Sequence, residues 1–146
     1  MDGVDQRILK MLFQDSRTSL ATMAKEVGLS ISGVRRRIME LRKSGLIRGY
    51  SIDVDPKKYG YSVLAFVTVD IDSRGLDELV RGLAKRHEVC EIHRITGDHS
   101  LLLKIRARDM DDLNRFIEDR VRGSVSVRGV RTVLAMDTMK ETVINL

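Results

Sequence analysis

The chain has few of the features that mark secreted, disulfide-stabilised or membrane proteins. Its 146 residues include one cysteine, Cys90, which excludes an internal disulfide framework and a paired-cysteine metal site. Three tyrosines, three phenylalanines and no tryptophan are too scattered to form an aromatic and basic platform for single-stranded nucleic acid. No apolar run has membrane-spanning length, and no secretory signal pattern begins the chain. We therefore predict a cytoplasmic protein without a membrane partner.

Signatures of catalysis are also missing. The sequence has no Ser-His-Asp order, phosphate-binding loop or dinucleotide fingerprint, so we predict no enzyme activity and no cofactor. Histidines do recur every six residues near Cys90 and Glu91, at His87, His93 and His99. A turn predicted at Gly97-Asp98 separates the last two, and we therefore predict that no metal binds there.

Positive charge is concentrated in the first third of the chain. The net charge is +5; residues 1–50 contain ten Lys or Arg and five Asp or Glu, whereas residues 51–146 contain sixteen of each. A basic segment joined to a neutral one is typical of a nucleic-acid-binding module linked to a partner domain.

Apolar spacing in this basic segment predicts three short helices. Asp2 is placed to cap the first, and its buried face comprises Val4, Ile8, Met11 and Leu12. Ser19 is placed to cap the second, and Gly28 suits the left-handed residue that ends it. Leu29 is expected to point inward, and Ser30 to cap the third helix at once.

The third helix, from Ser30 to Gly45, combines an apolar stripe with a basic face. At about 100° per residue, the stripe comprises Val34, Ile38 and Leu41, and the outer side comprises Ser32, Arg36 and Lys43 with Arg35 and Arg37 on the flanks. A helix, a glycine turn and a basic second helix are typical of a helix-turn-helix, whose second helix enters the DNA major groove. The charge run by itself also fits an ordinary solvated surface helix.

The period changes after Pro56, the only proline. An extended segment at 47–54 and a turn or linker at 55–60 lead into alternating strands and helices. The predicted elements are a strand at 62–71, a helix at 73–86, strands at 89–96 and 101–107, a helix at 109–122 and a strand at 127–136. The order βαββαβ predicts a ferredoxin-like sandwich. The fold class is thus α+β, with a winged helix-turn-helix domain at 1–50, a linker or strand at 51–61 and the sandwich at 62–146.

Apolar residues on both faces of the strands indicate self-association. The residues that suggest an apolar second face are Leu64, Phe66, Leu102, Leu134 and Met136. A bare apolar sheet face favours at least a dimer, which would present two basic helices to a pseudo-palindromic duplex. Coverage of this face by the N-terminal helices or by the chain's apolar tail is the alternative.

Seven segments spread over nearly the whole chain have a familiar pattern. They are VDQRIL (4–9), MAKEVGLS (23–30), VRRRI (34–38), GLIRGY (45–50), DP (55–56), ITGD (95–98) and GVR (129–131). Together they resemble the Lrp/AsnC (leucine-responsive, feast/famine) family of bacterial and archaeal transcription regulators. The resemblance implies a βαββαβ domain that dimerises through its sheet and often assembles further, commonly to octamers. In many members this domain binds an amino acid between subunits, which alters DNA binding.

The resemblance assigns roles by position. Residues from Ala21 to Glu40 form the helix-turn-helix, with Ser32 and Arg36 facing base edges and Arg35 and Arg37 facing phosphates. Ser30 and Gly33 complete the candidate DNA site. The candidate effector-binding residues on the hairpin and a neighbouring strand are Thr96, Gly97, Asp98, His99, Ser100 and Thr132.

The sequence departs from the family pattern at two positions. Ile31 stands where a proline commonly opens the third helix, and Ser100 stands where the hairpin usually has a second acidic residue. Backbone N–H groups at a glycine turn suit an amino acid's carboxylate, but only Asp98 remains nearby for its ammonium group. An unusual, weakly bound or absent effector is therefore expected. Gly97-Asp98 is also what a tight hairpin alone requires.

The function that these patterns favour is sequence-specific regulation of transcription. We expect the protein to act at the prokaryotic nucleoid, on duplex DNA with a pseudo-palindromic operator, as a homo-oligomer modulated by an amino acid or a related small molecule. An architectural protein that compacts DNA with little sequence preference and no effector is the main alternative. A metabolite-binding module or small enzyme localised by the N-terminal half is another.

Overall fold

A computed structural model of the chain describes residues 1–97 and 100–144. The chain divides into two compact units. The N-terminal unit comprises Met1–Asp53 and residues 142–144, and the C-terminal unit comprises Val54–Glu141. The boundary between them falls within three residues of the predicted end of the first domain at residue 50, whereas residues 142–144 group with the first unit.

The N-terminal unit is built on α1 (Gly3–Gln14), α2 (Leu20–Val27) and α3 (Ile31–Lys43). Each begins at a predicted cap, since side-chain oxygens of Asp2, Ser19 and Ser30 accept backbone N–H groups of the first turn. Gly28 ends α2 with φ of 69°, in the left-handed region that glycine adopts without strain. The predicted apolar stripes meet in one core made of Ile8, Met23, Ala24, Val27 and Val34.

Three details in the first sixty residues differ from prediction. Leu29 is 36% exposed instead of pointing inward, because the left-handed turn at Gly28 carries the chain out of the core, where Leu29 lies beside Gly33. The segment 48–54 forms no strand with any residue that the structure describes. Residues 55–60, where a turn or linker was expected, contain a short helix, α4 (Pro56–Tyr59). Asp55 caps this helix, and Pro56 occupies its first position.

The C-terminal unit has the predicted βαββαβ order. Its elements are β1 (Val63–Ile71), α5 (Ser73–Leu83), β2 (Val89–Arg94), β3 (Leu101–Ala107), α6 (Met110–Phe116) with a π-helical continuation (Ile117–Arg122), and β4 (Val127–Leu134). The four strands form an antiparallel sheet in the order β2-β3-β1-β4. This is the ferredoxin-like arrangement, and the α+β class is confirmed.

The helices cover one face of the sheet. Buried residues alternate along the two central strands and meet the helices at Ala65, Val67, Val69, Leu101, Leu103, Ile105 and Ala107. The opposite face, which we call the open face, is mixed instead of bare and apolar. Its rows, read from β3 through β1 to β4, place Lys104 beside Phe66 and Val133, and Leu102 beside Thr68 and Arg131.

Two residues predicted for the open face lie elsewhere. Leu134 pairs with Ala65 and therefore shares the helix-covered face, although it is partly exposed at the end of β4. A bulge opposite Asp70 and Ile71 inserts one extra residue into β4 and so reverses the faces of every later residue in it. Met136 follows the end of β4 and is almost fully exposed.

Within residues 1–97 and 100–144, none of the helices combines the length and apolar character needed to cross a bilayer.

Candidate nucleic-acid interface

Helix α3 is fixed at its start and along its back. The Ser30 hydroxyl accepts the Gly33 N–H at 3.1 Å and contacts the Ser32 hydroxyl at 3.0 Å. A Cβ on Gly33 would lie only 3.2 Å from the Ser30 oxygen, so the absence of a side chain there leaves room for the cap. Val34 and Leu41 are buried, and Ile38 is partly buried between them. The predicted apolar stripe of this helix is therefore confirmed.

The outward side of α3 is an open, mostly basic surface. The residues that line it are Ser32, Arg35, Arg36, Met39, Glu40 and Lys43. The Arg36 side chain is 76% exposed and only loosely paired with Glu40, at 4.0 Å one turn away. Because exposed pairs of this kind contribute little, the guanidinium remains accessible to a partner. Met39 and Glu40 were not among the predicted site residues, although helical spacing from Ser32 and Arg36 places them on this side.

Arg37 has a different position from its two neighbours. Its Nη1 donates to Asp2 Oδ2 at 2.7 Å and to Asp5 Oδ1 at 2.8 Å, and its side chain is 25% exposed. The structure thus gives Arg37 partners on α1, where the sequence suggested a DNA phosphate. The two carboxylates at the start of α1 do not reveal this pairing in the sequence, because capping and the helix dipole favour acidic residues there in any case.

The carboxylates that hold Arg37 also cap α1. Asp2 accepts the N–H groups of Val4 and Asp5, and Asp5 accepts the Asp2 N–H, which completes a capping box. The backbone N–H of Asp5 and the Arg37 guanidinium hold the pKa of Asp2 below its ordinary value. The backbone N–H of Asp2 and Arg37 lower the pKa of Asp5 in the same way. Asp5, then Asp2, raise the pKa of Arg37.

The predicted effector hairpin joins β2 to β3. Gly97 has φ of 102°, which suits a glycine turn, and Thr96 is exposed. Asp98 and His99 lie outside the described residues. Ser100 is bound to the backbone: its N–H donates to Val69 O at 3.0 Å, and its hydroxyl contacts Ile71 N at 3.5 Å and Ile71 O at 3.3 Å. Ser100 therefore ties the hairpin to the end of β1.

Thr132 is not beside this hairpin within one chain. It lies on β4 opposite Val67, exposed at the sheet edge, and β1 separates β4 from the β2–β3 pair. A site containing both Thr132 and the hairpin would need a second copy of the chain or a ligand that spans β1.

The histidines outside the hairpin have separate partners. His93 Nε2 lies 2.9 Å from Glu91 Oε2, and His87 lies 3.5 Å from Glu88 Oε2 and near the Tyr61 ring. Across the described part of the chain, no three side chains of His, Cys, Asp or Glu come together as a metal ion would require.

Comparisons with known proteins decide the family. A model described as winged helix-turn-helix DNA-binding matches residues 1–48, and a model described as the Lrp/AsnC ligand binding domain matches residues 64–144. The chain belongs to the Lrp/AsnC family. The resemblance inferred from the sequence motifs is therefore confirmed.

Individual members of the family match this chain over nearly its full length. HTH-type transcriptional regulator FL11 of Pyrococcus horikoshii is 35% identical over 142 residues, which cover 97% of this chain and 93% of that protein. Regulatory protein AsnC of Haemophilus influenzae is 29% identical over 137 residues, which cover 93% of this chain and 91% of that protein. The solved structure of E. coli AsnC has a TM-score of 0.92 at 27% identity, covering 99% of this chain and 97% of that one.

The two matched domains define the activity of this Lrp/AsnC member. One supplies DNA binding, the other supplies ligand binding, and the relatives are transcriptional regulators. The protein is a sequence-specific DNA-binding transcription regulator with an effector-binding domain.

Proposed function

We propose that the outward side of α3 makes the contacts with duplex DNA. Ser32 and Arg36 face base edges, Arg35 faces a phosphate, and Ser30 and Gly33 keep the start of the helix compact for close approach. The observation that supports this assignment is the contrast between the buried Val34 and Leu41 and the exposed arginines on the other side of the same helix. Arginine forms bidentate hydrogen bonds with guanine edges, and an α-helix fits the major groove.

Substitution of single arginines on α3 tests this assignment. The probe is a duplex selected by the wild-type protein from a random-sequence pool, and binding is followed by fluorescence anisotropy. Arg36→Ala is expected to relax discrimination at one base position by about 1–3 kcal/mol. Arg35→Ala is expected to weaken binding to all duplexes and to reduce the salt slope by about 1.

The exposed Arg7 on α1 provides a matched control, since Arg7→Ala removes the same charge from another helix. Equal loss of affinity for every duplex on Arg36→Ala would contradict a base contact. Footprinting addresses the compaction alternative: discrete protected sites are expected, and uniform coverage would favour an architectural role.

We further propose that the protein acts as at least a dimer through the open face of the sheet. Phe66 is 36% exposed in the middle of this face, with Val133 beside it and Leu64 and Leu102 on the neighbouring rows. A dimer formed through this face contains two copies of α3, the number that recognition of two half-sites requires.

The effector that we propose is a small molecule bound near the β2–β3 hairpin between copies of the chain, with Thr96, Gly97, Ser100 and Thr132 contributing. Ser100 is a neutral residue where the family pattern has an acid, so it offers no charge to an ammonium group, and its hydroxyl contacts the Ile71 backbone. We expect an amino acid to bind weakly, or a related acid without that group to bind better. No catalysis, metal or cofactor enters this proposal, and its setting is the prokaryotic cytoplasm.

A thermal-shift screen against the twenty amino acids and their deaminated acids tests the effector. A ligand at a hundred times its Kd should stabilise the fold by about 2.7 kcal/mol. The shift should disappear in Thr132→Val and persist in Ser73→Ala, a surface change at the start of α5. No shift with any amino acid or acid would contradict this class of effector.

A further inference from the structure

The most specific long-range polar contact in the N-terminal unit joins α3 to α1. Arg37 is 32 residues from Asp5 and 35 residues from Asp2 in sequence, yet one guanidinium nitrogen lies within 2.8 Å of both carboxylates. Most other side-chain hydrogen bonds in the N-terminal unit join residues two or three positions apart. This contact therefore fixes the arrangement of two helices, which local caps cannot do.

The carboxylates are themselves held in place by α1. One oxygen of each carboxylate accepts backbone N–H groups at the helix start, at 2.9–3.0 Å, and the other oxygen accepts from Arg37. Because the helix start orients both groups, the guanidinium binds to a preformed pair of acceptors. Planar guanidinium geometry makes such a contact directional, so it limits rotation of α3 as well as its distance from α1.

The place of Arg37 on α3 fits this role. It is three residues after Val34 and four before Leu41, both buried, and so lies on the same side as the apolar stripe. Arg36, one residue earlier, is on the outward side and mostly exposed. A phosphate bound to Arg37 would have to displace two carboxylates whose combined negative charge already exceeds the single positive charge of the guanidinium.

We propose that Arg37 is a positioning residue: held by Asp2 and Asp5, it sets the orientation of α3 so that Ser32 and Arg36 meet their base edges, and it makes no phosphate contact itself. This inference rests on the proposed DNA interface of α3. It removes one of three adjacent arginines from the DNA-contacting set and adds two acidic residues of α1 to the group that determines specificity.

The salt dependence of DNA binding separates positioning from phosphate contact. Each neutralised phosphate contributes a slope of about −0.9 to log K against log salt concentration. Arg35→Met is expected to reduce the magnitude of this slope by about 0.9, the contribution of one phosphate contact. Arg37→Met is expected to keep the wild-type slope but to reduce the preference for the pool-selected duplex over a scrambled duplex of equal length by roughly fivefold.

All measurements are made well below each variant's Tm, with circular dichroism confirming a folded protein. Under those conditions a residue that serves stability alone leaves the preference between duplexes unchanged, so an unchanged preference would overturn the proposal. A slope loss in Arg37→Met equal to that in Arg35→Met would also overturn it. Arg37→Lys, which keeps one cation for one carboxylate, should recover part of the preference.

Asp5→Asn supplies the reciprocal test. Asparagine still accepts the Asp2 N–H but loses the charge, so the preference between duplexes should fall as it does in Arg37→Met. Tighter binding to all duplexes with a steeper slope would mean that Asp5 restrains a phosphate-binding Arg37, and would refute the proposal. The double variant Arg37→Met/Asp5→Asn should lose less Tm than the sum of the two single variants, because both substitutions break the same contact. That thermal readout needs no DNA, so it remains informative if the wild-type protein binds no duplex and the proposed interface fails.

Discussion

At the residue scale, a compact charge cluster lies on the open face of the sheet, separate from the contact of Arg37 with Asp2 and Asp5. Lys104 and Arg106 are only 13% and 16% exposed in their side chains. Glu141 binds both, with Arg106 at 2.6 Å, and Glu91 binds Lys104 at 2.9 Å. Burial would lower the pKa of Lys104, but the hydrogen bonds from its ammonium group to Glu141 and Glu91 outweigh it and raise the pKa. The cluster holds the chain after β4 against the sheet.

Acid should weaken this cluster. His93 and Lys104 lower the pKa of Glu91, and Lys104 lowers that of Glu141. A carboxyl whose pKa is lower in the folded state stabilises the fold above its unfolded pKa of about 4.3, and that stability is lost as pH falls through the folded value. The Tm of the wild type should therefore decline below about pH 4.3, and Glu141→Gln should show a smaller decline.

Glu118→Gln is the matched control for the acid series. Glu118 pairs with Arg122 one turn away on the π-helical segment, where both side chains are at least half exposed. Its substitution should leave the pH profile of the Tm as in the wild type. Superimposable pH profiles for Glu141→Gln and the wild type would show that the cluster contributes nothing measurable.

At the element scale, α5 contains two glycines in very different surroundings. A Cβ on Gly75 would lie 2.2 Å from Ser126 Oγ and 2.3 Å from Ser126 Cβ, because the start of α5 packs closely against the segment before β4. A backbone hydrogen bond supports this close packing, because the Asp72 N–H donates to Ser126 O at 3.0 Å. A Cβ on Gly82, near the other end of the same helix, would meet no described atom within 4 Å.

Alanine substitutions should therefore have opposite effects in this helix. Gly75→Ala is expected to destabilise the protein by about 1–3 kcal/mol because the methyl group overpacks the contact with Ser126. Gly82→Ala is expected to stabilise it by about 0.5–1 kcal/mol through helix propensity. Urea unfolding followed by far-ultraviolet circular dichroism measures both. Stabilisation by Gly75→Ala would mean that the close approach of α5 is absent in solution.

At the scale of the whole molecule, the open face combines apolar and charged residues in neighbouring rows. Phe66 lies between Lys104 on β3 and Val133 on β4, and the lysine charge is balanced by Glu91 and Glu141. Neutralised charges beside exposed apolar side chains are compatible with a buried interface, whereas an unpaired lysine there would oppose one.

The proposed dimer should be sensitive to charge at the centre of this face. Phe66→Lys adds an unpaired cation and is expected to halve the particle mass in sedimentation equilibrium at micromolar concentration. It should also lower affinity for a two-half-site duplex far more than for a single half-site. Val125→Lys, a fully exposed position between the π-helical segment and β4, is the control and should change neither. Unchanged mass in Phe66→Lys would place the interface elsewhere.

Much of this protein is determined by local sequence. The caps Asp2, Ser19 and Ser30, the left-handed Gly28 and the stripes of Ile8 and Val34 were predictable, because each depends on residues within about one helical turn. Apolar patterning likewise predicted the strands β1 and β3 close to their observed bounds. The family was also predictable from sequence, because its short motifs occur in both the helix-turn-helix and the β2–β3 hairpin.

Only the tertiary structure decided features that depend on distant partners. Helical spacing places Arg35 and Arg37 alike on the flanks of α3, and only α1, brought from more than thirty residues away, separates Arg37 from Arg35. Leu134 changed faces because one bulged residue shifts the register of β4 against β1, which no pattern within β4 reveals. Ser100 likewise became a backbone anchor through Ile71, at the end of another strand. Local propensity sets where elements begin and end, whereas register and long-range pairing decide what each side chain meets.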